Sequence, residues 1–319
     1  MPDDMDTTPL RSVSLIGAPA DVGAGVRGAS LGPEALRVAG VVQALRRQGL
    51  RVEDRGDLAG PVNPMHPVHA GCRHLQQVQV WTRLVADAVQ NALAWEQVPV
   101  ILGGDHSLAI GSIAAVARHC ALQSRPLQVV WLDAHADCNT PATSPTGNLH
   151  GMPLACLLGQ GPAVLTGPMP VLQPQQVWLL GLRSTDPGEE TLLQSMSIRP
   201  VRLQGSPDDG GQMVVTLAQW LSSLDPHTHV HLSLDLDVLD PGLAPGVSTP
   251  APAGLRAPQA MACMRLLGQC GRVGSVDLVE LNPARDVRQQ TARLAVALLT
   301  RLLAPASQKT QSSAEVISR

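Results

Sequence analysis

Short apolar runs alternate with longer amphipathic segments along most of the chain. The apolar runs are nearly continuous rather than alternating with polar residues, which is typical of parallel strands that are covered on both faces. The predicted strands are 11–16, 50–54, 98–102, 127–132, 176–180, 198–203, 229–234 and 272–279. The predicted helices are 33–48, 74–95, 108–119, 152–159, 212–224, 256–269 and 286–303. This alternation predicts an α/β fold built on a mainly parallel sheet.

The domain prediction is a single domain over residues 11–305, because no internal linker is long enough to separate two. Residues 1–10 form a polar lead without the apolar stretch of a secretory signal. Residues 306–319 form a polar tail that we predict to be disordered. No apolar stretch approaches the ~18 residues of a membrane span.

The amino-acid composition indicates which classes of partner are disfavoured and in which cellular compartment the protein is expected. The net charge of −3 and the pI of about 6.3 argue against nucleic acid or an acidic membrane as partners. The six cysteines form no CxxC pair, which favours reduced thiols and a cytoplasmic location. The chain has no Phe and no Tyr, so Leu, Cys and Met are expected to fill the core.

Polar clusters follow the ends of four predicted strands. Because ligands of open α/β sheets bind at the carboxyl ends of the strands, we expect these clusters to converge. In extended backbone, alternate side chains share a face, so the side chains of Asp133, His135 and Asp137 are expected to point to one place. The clusters are Asp105/His106, Asp133/His135/Asp137, Asp235/Asp237 and Glu280.

Four aspartates and two histidines without a thiolate form a hard, oxygen-rich ligand set, which suits Mn(II). Six ligands are too many for one catalytic ion with open positions, so they predict two ions that share bridging carboxylates. The alternative for Asp133, His135 and Asp137 is a loop start with caps and salt bridges. For Asp235 and Asp237 it is a chance LDLD run, and for His106 it is a structural histidine after GGD. The predicted ligands are His106, Asp133, His135, Asp137, Asp235 and Asp237.

Two other regions contain residue types that could bind ligands. Residues 63–74 contain three His and one Cys, but the prolines and irregular spacing favour a surface loop over a metal cluster. His227, His229 and His231 share the parity of Asp235, but they lie upstream in the strand and are not expected to reach the metals.

The motifs GGDHS (103–107), DAHAD (133–137), GNLHGMP (147–153) and SLDLDVLDP (233–241), with GLRSTDPGEE and VELNP, resemble the signatures of the ureohydrolase family and, within it, of the arginases. The resemblance implies a three-layer α/β/α fold around an eight-stranded sheet. It also implies two Mn(II) ions per subunit and a homotrimer or homohexamer. The implied reaction is hydrolysis of L-arginine to L-ornithine and urea, by attack of a metal-bridging hydroxide.

The resemblance also assigns roles to individual residues. Asp133 and Asp235 resemble bridging ligands, while His135 and Asp237 would complete the shell of the second ion. The implied catalytic residues are Asp137, His150 and Glu280. His150 resembles a proton shuttle, and Glu280 would pair with the guanidinium. The alternatives are a surface histidine and a buried acid paired with an arginine.

Substrate choice depends on the loop after DAHAD. Its side chains resemble those that hold an α-carboxylate in arginases, whereas agmatine has no carboxylate to gain from them. The implied substrate residues are Asn139, Thr146, Asn148, Asp186, Glu189, Thr249 and Glu280. Thr146 stands where family members often have Ser, and Ser184 where an Asp is common. Cys138 is expected to pack rather than to act as a nucleophile.

Other functions remain open at this point. One is an agmatinase or guanidino-acid hydrolase of the same family. Another, from a different class, is a catalytically inactive homologue that serves as a binding protein. A binuclear phosphoesterase is disfavoured, because no Arg or Lys cluster suited to clamping phosphate is present.

Overall fold

Eight strands form one sheet in which every strand pairing is parallel. The computed structural model describes residues 11–64, 66–206 and 208–305, so the predictions for 1–10 and 306–319 lie outside the described residues. The strands are β1 (Ser12–Ala18), β2 (Arg51–Asp57), β3 (Val98–Gly103), β4 (Leu127–Leu132), β5 (Val177–Leu182), β6 (Val201–Arg202), β7 (His229–Asp235) and β8 (Val273–Val279). Their spatial order is β2-β1-β3-β8-β7-β4-β5-β6. The predicted fold class is therefore confirmed, and the single domain over 11–305 stays a prediction.

Helices cover both faces of the sheet and complete three layers. They are α1 (Gly32–Val38), α2 (Val41–Arg47), α3 (Leu75–Ala94), α4 (Ala109–Leu122), α5 (Pro153–Leu157), α6 (Ala163–Thr166), α7 (Pro187–Ser195), α8 (Asp209–Ser223), α9 (Ala257–Gln269) and α10 (Gln290–Leu303). One core packs α1, α2, α8, α9 and α10 against the sheet, and the other packs α3, α4 and α5 against the opposite face.

Both cores consist mainly of Leu, Val, Ile and Ala, with Cys and Met between them. Trp131 is the largest fully buried side chain, and five of the six cysteines are buried. This agrees with a chain that lacks Phe and Tyr. All six cysteines are free thiols. Within the described residues, no helix combines the length and the apolar character that a membrane crossing requires.

Three local predictions were wrong. The helix predicted over 33–48 is two helices, because Gly40 adopts a left-handed conformation (φ 89°) between them. The helix α7 was missed in the motif GLRSTDPGEE. Ser107, at a position that predicts the N-cap of the helix over 108–119, does not cap α4; Asp105 caps a short 3₁₀ turn there by accepting a hydrogen bond from the Ser107 backbone N–H.

Candidate active site

The candidate site lies at the carboxyl edge of the four central strands β3, β8, β7 and β4. These four strands are neighbours in the sheet although they are far apart in sequence. In chain order their ends carry the four predicted clusters Asp105/His106, Asp133/His135/Asp137, Asp235/Asp237 and Glu280. The expectation that the polar clusters converge at one sheet edge is therefore confirmed.

The segment after β4 does not continue as an extended strand. β4 ends at Leu132, the chain bends at residues 134–135, and Asp137 has a left-handed backbone (φ 51°). The prediction that the side chains of Asp133, His135 and Asp137 share one strand face is therefore wrong. All three reach the site, but the bend distributes them around two centres.

The first centre surrounds the His106 ring, which is buried. Its Nδ1 atom lies 3.1 Å from Asp133 Oδ2, 3.0 Å from Asp137 Oδ2 and 3.2 Å from Asp235 Oδ2. Burial would lower the pKa of His106, but the three carboxylates outweigh it and raise the pKa well above its ordinary value. Nδ1 makes no hydrogen bond of good geometry within the described chain. One imidazole nitrogen thus faces three carboxylates, and it cannot satisfy all of them.

The second centre is formed by Asp133, His135 and Asp237. His135 Nδ1 lies 3.0 Å from Asp237 Oδ2 and 3.6 Å from Asp133 Oδ1. The side chain of His135 is 24% exposed, whereas those of Asp133 and Asp237 are buried. Asp133 belongs to both centres, as a bridging ligand would, whereas Asp235 belongs to the first alone.

The charge of the two centres favours a bound cation. Burial, followed by repulsion from Asp237 and Asp133, raises the pKa of Asp235 well above its usual range. Burial and Asp133 likewise raise the pKa of Asp137 to about 6. Four buried carboxylates this close together resist full ionisation unless positive charge offsets them. The oxygen-rich donor set and the orphaned Nδ1 of His106 therefore fit a pair of divalent ions.

Several residues that orient these ligands were not predicted from the sequence. Trp131 Nε1 donates a hydrogen bond to Asp133 Oδ2 (3.0 Å), and its ring stacks on His106 with 4.3 Å between centroids. Ser233 Oγ lies 2.8 Å from His106 Nε2, on the side of the ring away from the carboxylates. Arg183 donates to the backbone carbonyl of Asp237 at 2.6 Å. These contacts hold the ring, the bridging carboxylate and the chain after β7 in place.

Glu280 and His150 form a buried pair beside the first centre. Glu280 Oε1 accepts a hydrogen bond from the His106 backbone N–H (3.0 Å) and lies 3.1 Å from His150 Nδ1. Its Oε2 atom is buried and has no hydrogen-bond partner among the described residues. Glu280 also adopts a left-handed backbone (φ 63°), a strain that is common at functional sites.

The ion pair of His150 and Glu280 should make the stability of the metal-free protein depend on pH. Burial lowers the pKa of His150, but Glu280 outweighs it and raises the pKa to about 9. Because this exceeds the unfolded value of 6.5, the pair stabilises the metal-free protein fully below pH 6.5, and this stability is lost as pH rises through about 9. In the Glu280→Gln variant the pKa of His150 should fall, because burial remains and only the smaller effects of Asp105 and Asp137 still oppose it. NMR titration of chelator-treated protein measures both values, and an unchanged pKa in the variant would contradict the assignment.

A cavity of about 260 Å³ opens above the two centres. A larger cleft of about 460 Å³ between α2, α9 and α10 contains no His, Asp or Glu, so it offers no metal ligand. The 260 Å³ cavity is lined by the metal-centre residues His135, Asp137, Asp235 and Asp237, by the predicted residues Asn139, Thr146, Asn148, His150, Asp186, Glu189 and Thr249, and by Ser144, Pro145, Gly151, Ser184 and Thr185. Glu280 does not line the cavity, but its Oε1 lies 3.1 Å from Nδ1 of His150, which does.

The predicted substrate residues are tied to one another. Asn139 Nδ2 donates to Asp186 Oδ2 (2.6 Å). Asp186 also caps α7 and forms a capping box with Glu189. Burial, with repulsion from Asp137, raises the pKa of Glu189 to about 7. Thus Asp186 and Glu189 have a structural role whether or not they contact a ligand.

Two other residues that line the cavity, Thr249 and Asn148, differ in what their side chains contact. Thr249 Oγ1 donates to Asp237 Oδ2 (3.0 Å), so it contacts the second centre directly. The buried side-chain oxygen of Asn148 has no hydrogen-bond partner among the described residues; this oxygen can only accept, so a carboxylate would have to bind to the amide nitrogen.

Three other residues discussed in the sequence analysis, His229, His231 and Cys138, lie away from the two centres. His229 and His231 bond Ser275 Oγ at 2.9 Å, and His231 also lies 3.2 Å from Asp277 Oδ2, so both belong to a separate buried network. Burial raises the pKa of the Cys138 thiol, and its Sγ contacts the Glu189 carbonyl. Cys138 therefore packs, as expected, although a left-handed Asp137 rather than strand alternation turns it away.

Comparisons with known proteins agree with this geometry. A model of the arginase family matches residues 11–304. The arginase of Bacillus caldovelox is 40% identical over 298 residues, which are 91% of this chain and 97% of that protein. Its structure superimposes with a TM-score of 0.84 at 38% identity, over 92% of this chain and 98% of that one. The structure of Entamoeba histolytica arginase in complex with L-ornithine superimposes with a TM-score of 0.82 at 29% identity, over the same shares of the two chains.

Proposed function

This chain belongs to the arginase family of hydrolases, and on that basis we propose that it hydrolyses the guanidinium group of L-arginine to give L-ornithine and urea. The observation that carries the proposal is the cavity, whose floor is formed by the two ligand groups and whose wall is formed by the polar loop 139–148. The substrate would place its guanidinium at the floor and its α-carboxylate at the loop.

The proposed cofactor is a pair of Mn(II) ions. His106, Asp137 and Asp235 would hold the first ion, and His135 and Asp237 would hold the second. Asp133 would bind both ions. The assignment of Asp235 as a second bridge stays a prediction. Two divalent ions held by these residues would lower the pKa of water enough to supply hydroxide near neutral pH.

Glu280 and His150 would act on the guanidinium and its products. The unpaired Oε2 of Glu280 is a buried anion suited to the planar cation. His150 lines the cavity and is held protonated by Glu280, so it can donate a proton to the departing amine of ornithine.

The loop 139–148 favours arginine over agmatine. Thr146 and Asn148 offer hydroxyl and amide groups at the cavity wall, and these can bind a carboxylate but have no partner on a decarboxylated substrate. Asp186 would face the α-amino group, with Ser184 beside it. An agmatinase or guanidino-acid hydrolase is the second candidate, because the same floor would accept any guanidinium.

Urea release from the purified, Mn-loaded protein tests the proposal. We expect L-arginine to be cleaved with a kcat/KM at least about a hundredfold above that for agmatine or guanidinobutyrate, because losing a charged contact costs roughly 3 kcal/mol. Activity with agmatine and none with arginine would favour the second candidate. No urea from any guanidine, together with no Mn uptake, would favour a non-catalytic binding protein.

The expected assembly rests on the resemblance alone, whereas the expected location and the lack of nucleic-acid or membrane partners rest on cysteine usage and charge. We propose a homotrimer or homohexamer in the cytoplasm, with no nucleic-acid or membrane partner. Light scattering of the purified protein measures the number of subunits, and a monomeric mass would contradict the assembly.

A further inference from the structure

Residues 66–74, here named the buttress segment, lie against the back of the loop 139–148. The sequence pattern singled out this region for its histidines, and it is a loop, as predicted. His69 and Cys72 exchange backbone hydrogen bonds of 2.8 and 3.0 Å, which close a tight turn. The turn does not line the cavity, so any effect on a bound substrate must act through the residues that the turn contacts.

Arg73 bonds two consecutive carbonyls of the loop. Its backbone N–H donates to Gly147 O at 2.7 Å, and its side-chain Nε donates to Thr146 O at 3.1 Å. The two carbonyls belong to the stretch that carries Thr146 and Asn148, which line the cavity. Arg73 therefore fixes the backbone from which both side chains project.

Gly71 packs against the other end of the loop. It has a positive φ of 75°, and a Cβ atom added there would overlap the carbonyl oxygen of Pro141. Such a close approach requires glycine. The buttress segment thus contacts the loop near both ends, at Pro141 and at Gly147.

His74 anchors the segment in turn. Its Nδ1 lies 2.8 Å from Val22 O, and its Nε2 accepts a hydrogen bond from the His66 backbone N–H at 3.1 Å. A neutral imidazole with its proton on Nδ1 satisfies both contacts. Both ring nitrogens are therefore occupied by backbone, which leaves neither for a metal ion.

We propose that the buttress segment sets the preference for an α-amino acid substrate, by holding the loop that receives the α-carboxylate. The inference rests on the proposed function and adds the positioning residues Arg73 and Gly71 to it. Among the described residues, no hydrogen bond or ion pair joins the segment to either ligand group, so it should affect the carboxylate end of the substrate and not the guanidinium end.

The first test compares Gly71→Ala with Gly49→Ala. Both glycines have positive φ (75° and 79°), so both variants carry the same backbone strain, but a Cβ at Gly49 would meet no atom within 4 Å. We expect the KM for L-arginine to rise about 10- to 100-fold in Gly71→Ala alone, since small displacements at a site have effects of this size. The melting temperature should fall further in Gly71→Ala than in Gly49→Ala, because the overlap with Pro141 O adds to the backbone strain, so KM is measured at a temperature at which both variants are fully folded.

The second test replaces Arg73, which is half-buried. Arg73→Ala should raise the KM for L-arginine about tenfold with little change in kcat, since one charge-assisted hydrogen bond is lost. Arg73→Gln should restore much of the loss, because its amide nitrogen occupies the position of the arginine Nε. Arg83→Ala, on the exposed face of α3, is the matched control.

Product inhibition gives the readout that separates this role from a general defect. The Ki of L-ornithine should rise in Gly71→Ala and Arg73→Ala, while that of putrescine, which lacks the carboxylate, and the Mn content should not change. An active wild type whose two variants keep their KM and ornithine Ki would overturn this inference alone. A wild type that releases no urea from arginine would overturn the proposed function with it.

Discussion

The Asp133→Asn variant is expected to lose both metal ions. Asp133 is the one ligand common to both centres, and its two oxygens lie 3.1 Å from His106 and 3.6 Å from His135. An amide has no charge to offset a divalent ion, so neither centre keeps a complete shell. Urea release from L-arginine should fall on the order of a thousandfold or more, which corresponds to about 4 kcal/mol of transition-state stabilisation. Elemental analysis after gel filtration measures the metal content.

Three other variants serve as controls for Asp133→Asn. His135→Ala and Asp237→Ala remove ligands of the second centre alone, so they should weaken the retention of one ion. Asp240→Asn alters the next aspartate after Asp237, whose side chain accepts a hydrogen bond from the Gly242 backbone N–H, and it should keep both ions. Full Mn stoichiometry in Asp133→Asn would show that the ligand assignment is wrong.

The fold was predictable because its strands are buried on both faces. Continuous apolar runs leave little ambiguity about strand positions, and the parallel arrangement follows from the helices between them. The break at Gly40 was missed because a single glycine within a helical pattern is compatible with either outcome. The helix α7 could have been found, since Asp186, Pro187 and Glu189 form a recognisable capping box with proline in the first turn.

The ligand set was predictable, but its geometry was not. The carboxyl edges of neighbouring parallel strands meet, and this alone brings His106, Asp133 and Asp235 together. Sequence spacing does not specify backbone angles, so the left-handed turn at Asp137 was hidden. That turn separates the ligands of one short motif into two centres, which a continuous strand would have placed on one face.

The contacts that position the metal ligands could not be predicted from the sequence, for a different reason. Ser233 and His106 are 127 residues apart, and Arg73 and Thr146 are 73 apart. Such pairs depend on the order of strands in the sheet and on how loops stack above it. No local pattern encodes either, so the residues that position the ligands emerge only from the three-dimensional structure.

The Glu280→Gln variant is expected to lose activity while it keeps its metals. Glu280 is 1% exposed and belongs to neither ligand group. Gln preserves the size of the side chain and can still accept the hydrogen bond from the His106 backbone N–H, but it carries no charge for a guanidinium. Removing one partner of a buried ion pair costs about 3–5 kcal/mol, so kcat/KM for L-arginine should fall roughly 10²- to 10⁴-fold. Steady-state urea release and metal analysis measure the two effects separately.

The matched control for this variant is Glu34→Gln. The side chain of Glu34 is 71% exposed, so losing its charge should leave both activity and metal content unchanged. Loss of Mn in Glu280→Gln would mean that Glu280 acts through the metal centre rather than on the substrate. Activity within a factor of about three of the wild type would mean that the guanidinium is held elsewhere, because a buried charge pair is worth far more than this.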